Sequence, residues 1–200
     1  MLEPKEGLLT FRAEGNNFRG SRYYSRKIHW PGNSPACGKN ASGVTIGRGF
    51  DLGGRSEKEA LSYLILAGIP TEKAIKISAG SKLTHCRADE FVKVNKDSIG
   101  EITESQQLRL FENVYRNYLY DAIRFYNKYK NSGSESWNKL DKKVKDVFVD
   151  MKYQGVLSKN MVKFFEKNNR FDVIYLIEND KYLMSYESSR GRLGYLKDKS

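Results

Sequence analysis

The 200-residue chain has only two cysteines, two histidines and four prolines, and no apolar run approaches the roughly 18 to 20 residues that cross a bilayer. Two cysteines exclude a disulfide-dense scaffold and leave room for at most one bridge, which composition does not decide. His29, His85, Cys37 and Cys86 form no recognised ligand spacing and no H-E-x-x-H occurs, so no metal site is expected and all four read as ordinary surface or core residues. Lys5, Glu3 and Glu6 spoil the N-terminus as a secretory signal, which predicts synthesis in the cytoplasm without a signal peptide. Acidic residues are in the minority: 35 Lys+Arg against 24 Asp+Glu give a net charge of +11, pointing to a polyanionic partner such as nucleic acid, anionic lipid or a cell-wall polymer. Wholesale disorder is excluded, because 39% of the chain is hydrophobic and its length suits one globular domain.

Residues 1–14 pattern as a short helix with Leu8, Leu9 and Phe11 inward, ended by Gly15 and leaving Glu14 at its C-terminal end. Residues 16–43 are rich in Gly, Asn, Ser, Arg and Pro and read as a long basic loop. Over residues 1–50, eight Lys/Arg stand against three Glu, so nearly half of the net charge lies there. The strongest strand signal is GVTIGRGFDLG at 43–53, whose glycines suit a tight hairpin. Helical signals follow from residue 56. Ser56 with Glu59 and Thr103 with Gln106 are capping pairs, Pro70 opens TEKAIKIS, and LDKKVKDVFVDMKYQG, KNMVKFFEKNN and FDVIYLIEND continue the pattern. The fold class is α+β, mostly helical, with a small N-terminal β-hairpin.

Two phosphate-binding patterns fail on their residues. Gly47-Arg48-Gly49 puts Asp51 in the turn and Leu52 where a dinucleotide fingerprint needs its third glycine, while Gly32 and Gly38 enclose five residues and Asn40 replaces the hydroxyl that would hold magnesium. Glu14, Thr45 and Asp51 form a sharper constellation. Glycosidic cleavage uses one protonated carboxyl to donate to the leaving oxygen and one ionised carboxylate to serve water or the oxocarbenium-like transition state. Alternation along an extended segment puts Thr45, Gly47, Gly49 and Asp51 on one side. The competing reading is that Thr45 and Asp51 merely organise a glycine-rich hairpin.

SGVTIGRGFDLGG resembles the SGVTIGxGxDLG signature of the pesticin-type branch of the phage-lysozyme-like muramidases, a group of bacteriocins and antibacterial effectors. The resemblance implies a single lysozyme-like domain over 1–200, two-lobed, with a β-containing lobe about 15–100 and a helical lobe about 101–200 plus the N-terminal helix. It implies Glu14 of Glu14-Gly15 as the acid, with Thr45 and Asp51 as its partners; phage lysozymes proper carry the second acid six positions before the Thr, where this chain has Lys39. ITESQQLRLF and VFVDMKYQG are similar to two helices of the family. Relatives have a shorter segment between the Glu and the T-I-G run, which leaves Glu6 and Glu3 as alternative acids. The implied activity is hydrolysis of the β-1,4 bond between N-acetylmuramic acid and N-acetylglucosamine in peptidoglycan, by a monomer with no cofactor, acting in the periplasm or on the wall of a target or host bacterium. An effector implies a cognate immunity protein.

Aromatic residues make up 12% of the chain, and flat rings suit sugar faces. Tyr23, Tyr24 and Trp30 in the loop, and Gln154 at a helix-ending turn, are the candidate substrate contacts. The rival class is a basic module in which Arg19, Arg22, Arg26 and Lys27, interleaved with those aromatics, grip a single nucleic-acid strand. No nucleic-acid motif appears and Asp51 then has no purpose, so nucleic acid is not expected. A third class is a non-catalytic glycan binder on the same fold.

Overall fold

The computed structural model describes residues 2–198. The first helix, α1 (Leu8–Ala13), is shorter than its sequence pattern. Gly7 takes a positive φ of 73° directly before it, which stops the helix from extending upstream. Thr10 and Phe11 are its buried residues, and Leu8 and Leu9 are half-buried. The basic loop is ordered by a 3-10 segment at Ser34–Lys39 and by short backbone pairings. It leads into β1 (Thr45–Ile46) and β2 (Phe50–Asp51), a two-stranded antiparallel sheet.

Local signals then set the helices. The Ser56 side chain accepts from the Glu59 N–H at 3.2 Å and opens α2 (Glu57–Leu66), and Pro70 directly precedes α3 (Thr71–Ser78) without a side-chain cap. After α4 (His85–Ile99), Thr103 and Gln106 form a reciprocal box of 3.1 and 2.9 Å at the start of α5 (Glu104–Tyr129). Asp141 caps α6 (Lys142–Gln154), which ends on left-handed Gly155. Residues 159–164, expected to continue the α-helical pattern, form a 3-10 segment instead. Ser158 makes no capping bond there, Asn168 turns to φ 55°, and the buried Val162 and Phe165 are three residues apart, the repeat of a 3-10 turn. Asn169 caps α7 (Arg170–Asn179), Asp180 caps α8 (Lys181–Arg190), and Gly191 separates that helix from α9 (Arg192–Lys197).

The chain is thus mostly helical with one small antiparallel sheet, and it divides into two compact units. One is Glu14–Val114 with the stretch up to Pro4; the other is Lys5–Ala13 with the chain from Tyr115 onward, so the division falls inside α5. The first unit is built on Ile28, Val44, Ile46, Phe50, Leu52, Leu64 and Ile77, all essentially inaccessible. In the second, Phe148 sits edge-on to Tyr126, Trp137 and Phe165 at 4.9–5.7 Å, a geometry that adds to simple area burial. In the same unit Asp150 is buried between Arg190 and Arg192, paired at 2.5 and 2.6 Å.

Candidate active site

The hairpin is where sequence dictates geometry most tightly. Gly47 and Gly49 adopt φ of 63° and 75°, conformations that let the chain reverse within three residues. The strands pair Ile46 with Phe50 and Thr45 with Asp51. Directly opposed residues point to one face, so Ile46 and Phe50 fill the core while Thr45 and Asp51 share the other side. Alternation along one extended segment, the sequence expectation, is replaced by cross-strand pairing. Both Asp51 oxygens are held by backbone: Oδ1 accepts from Gly53 N–H at 2.6 Å and Oδ2 from Gly43 N–H at 3.1 Å. A Cβ at Gly43 would run into that carboxylate and the Gly53 backbone, which explains the glycine before Val44. Thr45 donates its hydroxyl to the Gly43 carbonyl at 3.2 Å, leaving its lone pairs as acceptors.

A third segment completes the row. His29 and Thr45 exchange backbone hydrogen bonds, both 2.8 Å, so His29, Thr45 and Asp51 are successive cross-strand neighbours on one face. The His29 Nδ1 lies 3.1 Å from the Lys27 carbonyl. A carbonyl only accepts, so Nδ1 carries the proton and Nε2 presents a lone pair. Burial pushes the imidazole down to about 4, Lys96 adds to the shift, and the Lys27 carbonyl and Asp51 oppose it. It is therefore neutral at physiological pH. Reading His29 as an isolated residue missed this; the available signal was the alternation of Lys27-Ile28-His29-Trp30 before Pro31.

Glu14 follows α1 in a turn, half-buried, and belongs to the same unit as the row. Gly15 has φ 134° and packs on Ser25, where a Cβ would collide with the hydroxyl. Arg48, in the hairpin turn and 3% exposed, donates to the Gly15 carbonyl and, at 3.4 Å, to Asn17 Oδ1. Ser25 provides a second tie, its N–H and hydroxyl both on the Asn16 carbonyl (3.0 and 2.8 Å) and its own carbonyl accepting from Gly47 N–H at 2.7 Å. The turn that carries Glu14 is thus fastened to the hairpin turn, two residues (~7 Å) along the strand from the Thr45–Asp51 pair. Burial lowers the Arg48 guanidinium to about 10, with Glu3 and Glu104 opposing, so it stays charged at neutral pH. Glu6 is exposed and belongs to the other unit, and Glu3 lies on the exposed stretch ahead of Pro4.

Residues 7–191, nearly the whole chain, match the family described as Domain of unknown function (DUF8812). The chain belongs to this family. No curated protein matches it. Every member of the row, the Glu14 turn and both cysteines lie inside the DUF8812 span.

The remaining candidates of the DUF8812 domain separate clearly. Tyr23 is 45% exposed, with the Arg22 guanidinium 5.0 Å from its ring. Tyr24 is buried and its hydroxyl donates to Glu101 at 2.9 Å, so it offers no open face to a sugar and is withdrawn as a contact. Trp30 is also largely buried, its indole N–H on the Ser42 carbonyl at 2.9 Å, and it borders a cavity. Gln154, in the second unit, accepts from Arg192 at 2.5 Å. Cys37 and Cys86 pair, joining the 3-10 segment to α4. Among the described residues no cluster of His, Cys, Asp and Glu has the makings of a metal site, and no helix is long and apolar enough to cross a membrane.

Proposed function

We propose that this domain is a muramidase on a two-lobed lysozyme-like fold, cleaving the β-1,4 bond between N-acetylmuramic acid and N-acetylglucosamine. One observation carries the reading: Thr45 and Asp51 face each other in a hairpin whose turn residue, Arg48, holds the Glu14-Gly15 turn. Glu14 donates its proton to the leaving glycosidic oxygen. Asp51, fixed by two backbone N–H groups, retains lone pairs that orient the attacking water and stabilise the positive charge at the anomeric carbon. Thr45 accepts from that water while its own proton stays on the Gly43 carbonyl. The positive surface favours approach to an anionic wall. A disulfide supports an oxidising destination, in keeping with action in the periplasm or at the wall of a target or host bacterium. The role carries with it a monomer and, for an effector, a cognate immunity protein.

The nucleic-acid alternative draws little support from the basic loop. Arg19 and Arg26 both lie on Glu101 at 3.3 and 3.5 Å, Lys27 pairs with Asp97 at 3.1 Å, and Tyr24 and Trp30 are buried. The deciding experiment is digestion of isolated peptidoglycan followed by reductive labelling and mass analysis. New reducing-end N-acetylmuramic acid is expected with the wild type and none with Glu14→Gln, because an amide cannot supply an acidic proton. Equal release by the variant overturns the assignment of Glu14, anhydro ends turn it into a lytic transglycosylase, and release by neither protein favours the non-catalytic glycan binder.

A further inference from the structure

Beside the hairpin row, and outside the Glu14–Thr45–Asp51 constellation, lies a cavity of about 430 Å³, within the range of small-molecule sites. His29 forms part of its wall, so the cavity begins where the row ends. Its frame is rigid. The disulfide ties the 3-10 segment to α4, and the Trp30 ring lies over Gly32 so closely that any Cβ there would strike it.

The charges in that wall do not balance. Asp89 is almost fully buried and already engaged, with Oδ1 accepting from Ser34 at 2.9 Å and Oδ2 paired with Lys93 at 2.7 Å. His29 is neutral. Arg22 donates to the Pro31 and Gly32 carbonyls at 2.9 and 2.7 Å, neutral partners that leave its charge uncompensated. Lys96 is half-buried, and its ammonium makes no hydrogen bond or ion pair among the described residues. Two positive charges therefore face a cavity walled by an indole, an arrangement that attracts an anion carried on a carbon skeleton more than a bare inorganic ion.

We propose that this cavity binds a carboxylate-bearing substituent of the substrate strand, with Lys96 and Arg22 on the carboxylate and Trp30 against its carbon atoms. That the strand is peptidoglycan rests on the muramidase reading. Its glycan offers the carboxylate from two sources, the lactyl ether of muramic acid and the attached peptide. Calorimetric titration of the Glu14→Gln protein, which binds without turnover, with N-acetylmuramic acid, muramyl dipeptide and chitotriose separates them. The first carries the lactyl carboxylate, the second only peptide carboxylate because its lactyl group is amidated, and the third none. At least one acidic probe is expected to bind about tenfold more tightly than chitotriose. Lys96→Met removes that preference and Lys96→Arg restores it. Equal binding of chitotriose, an unchanged preference in Lys96→Met, or no binding of either acidic probe at millimolar concentration overturns the proposal. Because no cleavage is read, a domain that releases no wall fragments but shows the Lys96-dependent preference refutes the muramidase and keeps the site; the opposite pattern does the reverse.

Discussion

Breaking the Cys37–Cys86 bridge gives the most quantitative test of how the first unit is held. The two cysteines are 49 residues apart in sequence, so the bond closes a loop of about 50 residues in the unfolded chain. Chain-entropy arithmetic for that length gives ~14 cal/mol/K, about 4 kcal/mol at 25 °C. For a protein of this size each kcal/mol moves the melting midpoint by roughly 2–4 °C, so the bridge is worth about 8–16 °C. The assay is thermal unfolding by far-UV circular dichroism of the oxidised protein, the same protein reduced with a phosphine, and the Cys37→Ser/Cys86→Ser double variant. The reduced protein and the double variant should melt together and well below the oxidised form, and reductant should leave the double variant unmoved. Midpoints of oxidised protein and double variant within about 2 °C would refute the reasoning, and would mean that the 3-10 segment docks on α4 without covalent help.

Three further outcomes are expected. Thr45→Val keeps the shape and removes the hydroxyl; stability should fall by only about 1 kcal/mol in urea titration, while wall hydrolysis drops at least about tenfold, and undiminished hydrolysis excludes Thr45 from holding the water. Arg48→Met strips the Gly15 carbonyl of its buried donor and should cost about 2–4 kcal/mol; a loss under about 0.5 kcal/mol shows the clamp is dispensable. His29 titrates near 4 when folded against an ordinary 6.5, so the unfolded chain takes up its proton first as pH falls. Its contribution is full above pH 6.5 and shrinks by about 3 kcal/mol on approaching pH 4. His29→Gln should lack that component, and parallel stability profiles for wild type and variant between pH 7 and 4 contradict the buried neutral imidazole.

What was legible in the sequence was local. Ser56 and Thr103 sit next to the groups they cap, and the glycines of TIGRG lie within the turn they shape, so short windows carry the signal. The row was half legible: Thr45 and Asp51 stand out because the hairpin is only seven residues long, whereas His29 joins through a pairing across sixteen residues and Arg48 reaches Gly15 across thirty-three. No periodicity encodes such contacts. Tyr24 looked like an exposed loop aromatic because the partner of its hydroxyl, Glu101, lies seventy-seven residues on. The helix α8 gave no apolar stripe to read, since Tyr182 and Met184 stay exposed and its boundaries rest on Asp180 and Gly191.

The assignment of Lys5–Ala13 to the second unit has a consequence for how the molecule comes into being. α1 leaves the ribosome ahead of the two helices it packs against, α6 and α8, which begin about 130 and about 170 residues after it. At ~5–20 residues per second those partners arrive roughly 6–34 s afterwards. Meanwhile the segment bearing Thr10 and Phe11 must wait with its apolar side uncovered, while the unit that follows Glu14 can already close around the hairpin. Nor can the second unit be obtained by cutting the chain at Val114: a fragment starting at Tyr115 lacks a helix that only a permuted chain, with Lys5–Ala13 joined to the far end, would return.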